Sequence, residues 1–244
     1  MSVDRYSDPD IYLRAMSRLR RSNPLALAVL VTLHERPMHP YEVAQTLRLR
    51  AKHESIKLNY GSLYTVVDSL EKHGLIEASE TVREGRRPER TVYAITDLGR
   101  VEMTDWLTTM LAMPDKDFPK FEAALSMVPA LPPAEALGCL RDRARSLVIE
   151  LERQRGAIAA TDSIGLPRLL TLEATYRVAM LEAELDFVER LVDDVESGAL
   201  DGLDLWSSWY RPDGTIDTDA VAAAAARFEG AAPAGPSEPD RRKR

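Results

Sequence analysis

The segment Ser55–Ile76, SIKLNYGSLYTVVDSLEKHGLI, decides the fold together with Thr81–Thr96, TVREGRRPERTVYAIT, with four residues between them. Asn59 carries a side-chain oxygen suited to the free N–H groups of a helix start. Leu63, Val66, Val67 and Leu70 recur at helical spacing and predict one buried face. Gly74 stands where a left-handed residue ends a helix, with Leu75 just beyond it. Tyr60, Ser62, Tyr64, Thr65, Asp68, Ser69 and Lys72 fall on the outer face. Ile76–Val82 and Thr91–Ile95 are predicted strands, and Gly85 and Pro88 mark a turn between them. That turn carries Arg83, Arg86, Arg87 and Arg90, four arginines in eight residues.

Working outward, Asn23–Glu35 (NPLALAVLVTLHE) is a strongly apolar predicted helix with Pro24 in its first turn. Pro37 and Pro40 break it, and Tyr41–Ala51 (YEVAQTLRLRA) follows as an amphipathic helix with Val43, Ala44, Leu47 and Ala51 inward. Residues 36–40 and 52–58 are connectors. Three short helices ahead of a strand pair with a basic turn are the order of a winged helix-turn-helix. Such a unit lays its third helix in the DNA major groove and sets its basic turn against the backbone. Side chains on the outer helix face can reach base edges, and the arginines of the turn can neutralise phosphates with release of counterions.

Leu25–Gly99 resembles the DNA-binding domain of PadR-type transcriptional regulators. The resemblance rests on LALAVL in the first helix, PMHPYEVAQTL at the entry to the second, GSLYTVVDSLEKHGLI, the wing GRRPERTVYAIT and the following DLG. It is close over about 75 residues and holds only in outline beyond them. The chain departs from the family pattern at Pro40, where glycine is usual before the tyrosine, and at the Pro-Glu inserted among the wing arginines. The resemblance implies a homodimeric repressor on an inverted-repeat operator in double-stranded DNA. It also implies release by a small, often phenolic or planar aromatic, ligand. Carried over residue by residue, Ser62, Tyr64 and Thr65 would face bases, and Tyr41, Lys57, Tyr60, Arg86, Arg87 and Arg90 would meet the backbone. In the family an aromatic residue on the helix after the wing can stack a planar ligand at the dimer interface, and Trp106 lies on that predicted helix.

Charge divides along the chain. The net charge is −7, yet Ser17–Arg100 holds 14 Lys/Arg against 10 Asp/Glu, or +4, while residues 113–244 hold 16 against 24, or −8. A positive DNA face on an acidic body suits specific rather than indiscriminate binding. The second half is predicted to be helical. One helix runs from Asp97 to about Met113, where Pro114 ends it, and a short one covers Phe118–Val128. Another opens at Pro132-Pro133 with Ala134, Leu137, Leu140, Leu147, Ile149 and Leu151 apolar and ends near Ala160. A long helix follows from about Arg168 to Ser197. Along it Leu169, Leu172, Tyr176, Ala179, Ala183, Phe187, Leu191 and Val195 form a stripe that Leu181, Leu185, Val188 and Val192 widen. That stripe is broad enough to pack inside the domain and also against a second subunit.

The expected architecture is mainly α with a small β wing: an N-terminal winged helix-turn-helix followed by an all-helical dimerisation domain. Its divisions are an arm or short helix over 1–22, the winged helix over 23–113, a dimerisation and effector domain over 114–229, and a disordered tail over 230–244. In the arm, Arg18, Arg20 and Arg21 are positioned to touch DNA. In the tail, the terminal Arg-Arg-Lys-Arg has almost nothing beside it to bury. Trp206, Trp209 and Tyr210 lie close together ahead of an alanine-rich helix, as a core plug or as the wall of a pocket for an aromatic ligand. Trp106, Trp206 and Trp209 are the ligand candidates.

Composition excludes other classes. The single Cys139 cannot form an internal disulfide and is expected to be a buried thiol in a reducing, cytoplasmic setting. No apolar run has transmembrane length, so no membrane role is expected. There is no phosphate loop, nucleophile elbow or metal-ligand spacing among His34, His39, His53 and His73, so no enzyme, metal or cofactor is expected. Two functions remain: a ligand-responsive DNA-binding regulator, and a winged helix used only for protein–protein contact. The wing arginines and Lys57 favour the first. A MarR-like plan would end soon after the wing, whereas over 130 residues follow here.

Overall fold

The computed structural model describes residues 23–82, 90–114 and 116–228, which divide into two compact units on either side of Asp117–Phe118. The first unit holds α1 (Pro24–Glu35), α2 (Pro40–Leu49), α3 (Tyr60–Lys72), β1 (Ile76–Val82), β2 (Arg90–Ile95) and α4 (Asp97–Ala112). The second holds α5 (Lys120–Ser126), α6 (Pro133–Ser163), α7 (Leu172–Ser197), α8 (Leu203–Ser208) and α9 (Thr218–Phe228). The expected fold class is the observed one: mainly helical, with a two-stranded antiparallel sheet as its only named sheet among the described residues.

In the first unit α1 is central. Eight of its twelve residues are buried, as a helix apolar on all sides must be, and it packs against α2, α3, β2 and α4. Its one buried hydroxyl, on Thr32, donates to the Ala28 carbonyl at 2.7 Å, so the helix's own polar side chain inside the core is satisfied. Leu63, Val66, Val67 and Leu70 of α3 complete that core with Ile76, Ile95 and Trp106. The strands pair from Ile76↔Ile95 to Val82↔Arg90, with an irregularity between Ala78 and Glu80. Met38 adds a one-residue bridge to Tyr93, exchanging hydrogen bonds of 3.0 Å in both directions. A single bridging residue has no alternation for a sequence pattern to display.

Several expectations are corrected. The second helix ends at Leu49, and Ala51 is exposed in the left-handed region at φ 55, where it precedes a 3₁₀ turn over Lys52–Glu54. Phe118–Val128 shortens to α5, because Pro119 caps it and Pro129 sits in a 3₁₀ turn. The long helix likewise starts with a 3₁₀ turn over Arg168–Thr171 before α7. On α6 the buried residues are Ala136, Leu140, Leu147, Leu151 and Gln154, while Ala134 and Ile149 are exposed. Cys139 is exposed. It sits one residue before Leu140, about 100° around the helix from the buried row, so adjacency to a buried leucine does not bury it.

α6 and α7 form an antiparallel hairpin, joined by ion pairs Arg141–Glu196 and Arg155–Glu182 (both 2.7 Å). Its core is narrow: Leu140, Leu147 and Val188, with Phe121, Leu181, Leu185, Leu191 and Val192 packed around them. The row expected only to widen the α7 stripe therefore faces inward, and the main stripe joins it near the helix end through Leu191 and the buried Val195. Leu169, Leu172, Tyr176 and Phe187 of the main stripe stay exposed. The segment after α7 closes on the start of α6: the Trp206 Nε1–H donates to the Leu131 carbonyl and the Tyr210 hydroxyl to the Pro129 carbonyl, each at 2.8 Å. Among the described residues, no helix is long and apolar enough to cross a membrane.

Further along the hairpin, the buried Gln154 donates to Glu150 at 2.8 Å and accepts from Arg177 at 3.1 Å. Hydrogen bonds from Arg153 and then Gln154 hold the Glu150 carboxyl at about 2, below its ordinary 4.5. A carboxylate depressed on folding contributes stability above its unfolded value, and that contribution is lost as pH falls through the folded value. Glu150→Gln is therefore expected to be less stable than the parent at pH 7 and to lose stability less steeply between pH 4.5 and 2. Thermal melts of both proteins across that range check this; parallel curves would mean that the network adds nothing.

Candidate nucleic-acid interface

The outer face of α3 is built by its caps. Asn59 Oδ1 accepts the Ser62 N–H at 2.7 Å, which fixes where the helix begins and hence which side chains point outward. At the other end Gly74 takes φ 71, a conformation costly for any residue with a Cβ, and turns the chain into β1. Ser62 and Thr65 are exposed, and Tyr64 is 43% exposed on the same face. The Thr65 hydroxyl donates back to the Gly61 carbonyl at 3.0 Å, so it faces outward chiefly as an acceptor. Lys57 is exposed just ahead of the helix.

α2 is positioned by His39, whose Nδ1 accepts the Tyr41 N–H at 3.1 Å, while Glu42 accepts the His39 N–H at 3.2 Å. This arrangement aims Tyr41 at α3. The Tyr41 and Tyr60 rings stack with centroids 6.2 Å apart and 10° between planes. Arg48 joins them: its guanidinium carbon lies 4.4 Å from the centre of the Tyr60 ring, and its Nη1 donates to the Tyr60 hydroxyl at 2.8 Å. Sequence reading missed Arg48. Its partner lies twelve residues away on another helix, beyond any local spacing rule. The other described arginines of α2 and its flanks are spent on structure. Arg50 grips Glu35 with both terminal nitrogens, holding that carboxyl below its usual range, and Arg36 lies 3.8 Å from Glu42.

The wing is tied to α3 through Tyr93, whose hydroxyl donates to Glu71 at 3.3 Å. Burial first, and then the Glu71 charge, push that phenol above its ordinary 10.0. The turn carrying Arg83, Arg86 and Arg87 lies outside the described residues, as do the arm over 1–22 and the tail over 230–244. Arg90 opens β2, and its side chain is not among those described. The structure thus brings Tyr41 and Tyr60 together at the start of α3 and sets Ser62, Tyr64 and Thr65 along its exposed face.

The ligand candidates lie elsewhere. Trp106 is 3% exposed in the winged-helix core, with its Nε1 enclosed and without a hydrogen-bond partner among the described residues. Trp206 is buried in the second unit. Trp209 is half-buried, and its Nε1 is also enclosed without a partner among the described residues.

Comparison with known proteins agrees with this geometry. The family model described as the transcriptional regulator PadR-like family matches residues 29–105. No protein of curated function matches the sequence. Among solved structures, Bacillus subtilis PadR in complex with operator DNA aligns with a TM-score of 0.59 at 17% identity, over 71% of this chain and 99% of that one. The same protein in complex with p-coumaric acid aligns at 0.56 and 16% identity, over 70% and 95%. The Vibrio cholerae virulence activator AphA aligns at 0.55 and 16% identity, over 71% and 98%. At these identities the likeness is one of fold. Residues 29–105 of this chain are a PadR-like domain of the transcriptional-regulator family.

Proposed function

We propose that this protein is a sequence-specific, DNA-binding transcriptional regulator that acts as a homodimeric repressor on an inverted-repeat operator. The observation that carries the reading is the outward face of α3. It bears Ser62, Tyr64 and Thr65 for base edges, flanked by the Tyr41–Tyr60 stack and by Lys57 for phosphates, in a domain of PadR-like sequence. Arg86, Arg87 and Arg90 of the wing add backbone contacts. The dimer is supported by the α7 stripe: Leu172 (49% exposed), Tyr176 (67%) and Phe187 (44%) remain open on a hairpin whose own core is narrow. A second copy would bury them, and two winged helices would then read two half-sites with the same surface. A small aromatic ligand would release DNA by binding better to a dimer with a different spacing between its winged helices. Its candidate contacts are Trp106, Trp206 and Trp209, of which Trp209 keeps both partial exposure and an unspent N–H. The setting is the cytoplasm.

Fluorescence anisotropy with duplex DNA from upstream of the chain's own coding region tests the reading. The expected result is a complex lost at high salt and not competed by unrelated DNA. Tyr64→Ala is expected to change sequence preference more than the salt slope, since a base contact specifies while a phosphate contact only positions. A folded dimer that binds no such duplex at low salt would instead favour a protein-interaction module.

A further inference from the structure

We infer that Arg48 is a positioning residue that turns Tyr60 into a directed phosphate donor; this rests on the DNA-binding reading above. A phenol can both donate and accept. Here Arg48 Nη1 fills an acceptor position on the Tyr60 oxygen at 2.8 Å. Among the described residues nothing takes the Tyr60 hydroxyl hydrogen. Donation from a cation into the oxygen polarises the O–H bond and strengthens its own donation. The hydroxyl is thereby committed to an acceptor outside the chain.

Two further features fix where it points. The Arg48 guanidinium lies on the Tyr60 ring at 4.4 Å, and the Tyr41 ring stacks on it at 6.2 Å, so the phenol is held by planar contacts although it is 37% exposed. Arg48 also has no carboxylate partner among the described residues, in contrast to Arg36 and Arg50. Its charge therefore remains available to an anion beside the phenol. A free O–H and an uncompensated guanidinium side by side at the first turn of α3 match the two non-bridging oxygens of one phosphodiester. Lysine could supply the charge but not the planar stack or the fork.

The test is anisotropy across a salt series with a fluorescent duplex from upstream of the chain's own coding region. The proteins are the parent, Arg48→Ala, Arg48→Lys, Tyr60→Phe and the Arg48→Lys/Tyr60→Phe double variant. Arg48→Ala is expected to lower the salt slope by about 1, the value for one lost phosphate contact. Arg48→Lys should keep the parental slope yet bind about tenfold more weakly, as Tyr60→Phe does, the size expected for one charge-assisted hydrogen bond. The double variant should bind no more weakly than either single one, because both remove the same donor. Parental affinity in Arg48→Lys, or losses that multiply in the double variant, would overturn the assignment while leaving DNA binding intact. A parent protein that binds no duplex at low salt would overturn both. Melting temperatures should be unchanged in the two conservative variants, since both side chains lie at the surface.

Discussion

Gly99→Ala is expected to destabilise the winged-helix unit by at least about 3 kcal/mol, near the upper end for a single overpacking change. Propensity alone predicts the opposite, because alanine in place of glycine within a helix gains roughly 1 kcal/mol. The close approach decides the sign. Gly99 is buried in the first turn of α4, where Thr96 caps it by accepting the Gly99 N–H at 3.0 Å. The same threonine donates its hydroxyl to the Gly74 carbonyl at 2.7 Å and its N–H to the Leu75 carbonyl at 3.1 Å. The helix start is thus pinned onto the turn that ends α3. A Cβ at position 99 would overlap the Leu75 carbonyl oxygen and lie 2.8 Å from Ile95 Cγ1. Backbone cannot swing aside as a flexible side chain does. Relief would require breaking the two Thr96 bonds and lifting α4 from the core that holds Trp106. Denaturant or thermal unfolding of the variant measures this; parental stability would mean that α4 is not docked in this way.

The second large effect concerns binding. Arg86→Ala/Arg87→Ala is expected to weaken all DNA binding about a hundredfold at moderate salt and to lower the salt slope by nearly 2, the release expected from two phosphate contacts. The loss should be the same for operator and unrelated duplex, because a phosphate contact carries no base information. That uniformity separates the wing from Tyr64 on α3, whose loss should reorder preferences among sequences. Anisotropy with both probes at several salt concentrations distinguishes the two. Unchanged operator affinity in the double variant would remove the wing from the interface.

The winged-helix unit was legible because its signals are local. The α3 cap, its buried row of Leu63, Val66, Val67 and Leu70, and its stop at Gly74 each need only a few neighbouring residues to act. The apolar α1 could only be a central helix. Site residues were legible to the extent that they sit on the face opposite such a row. Arg48 was not, since its role depends on α2 and α3 coming within reach of one another, and neither Leu49 nor Arg50 beside it marks it out.

The second unit marks the boundary between the two kinds of information. Sequence alone determined that residues beyond Asp117 form helices, where prolines start them, and that α7 carries more apolar surface than one hairpin needs. It could not say which of two adjacent apolar rows turns inward, because periodicity defines a face but not its neighbour. Tertiary packing turned Leu181, Leu185, Val188 and Val192 inward together with Leu191 and Val195 of the other row, and left Leu169, Leu172, Tyr176 and Phe187 open. It likewise exposed Cys139, enclosed Trp106 and set Gly99 against a carbonyl, since burial depends on which distant segment arrives opposite, and local spacing carries no record of that.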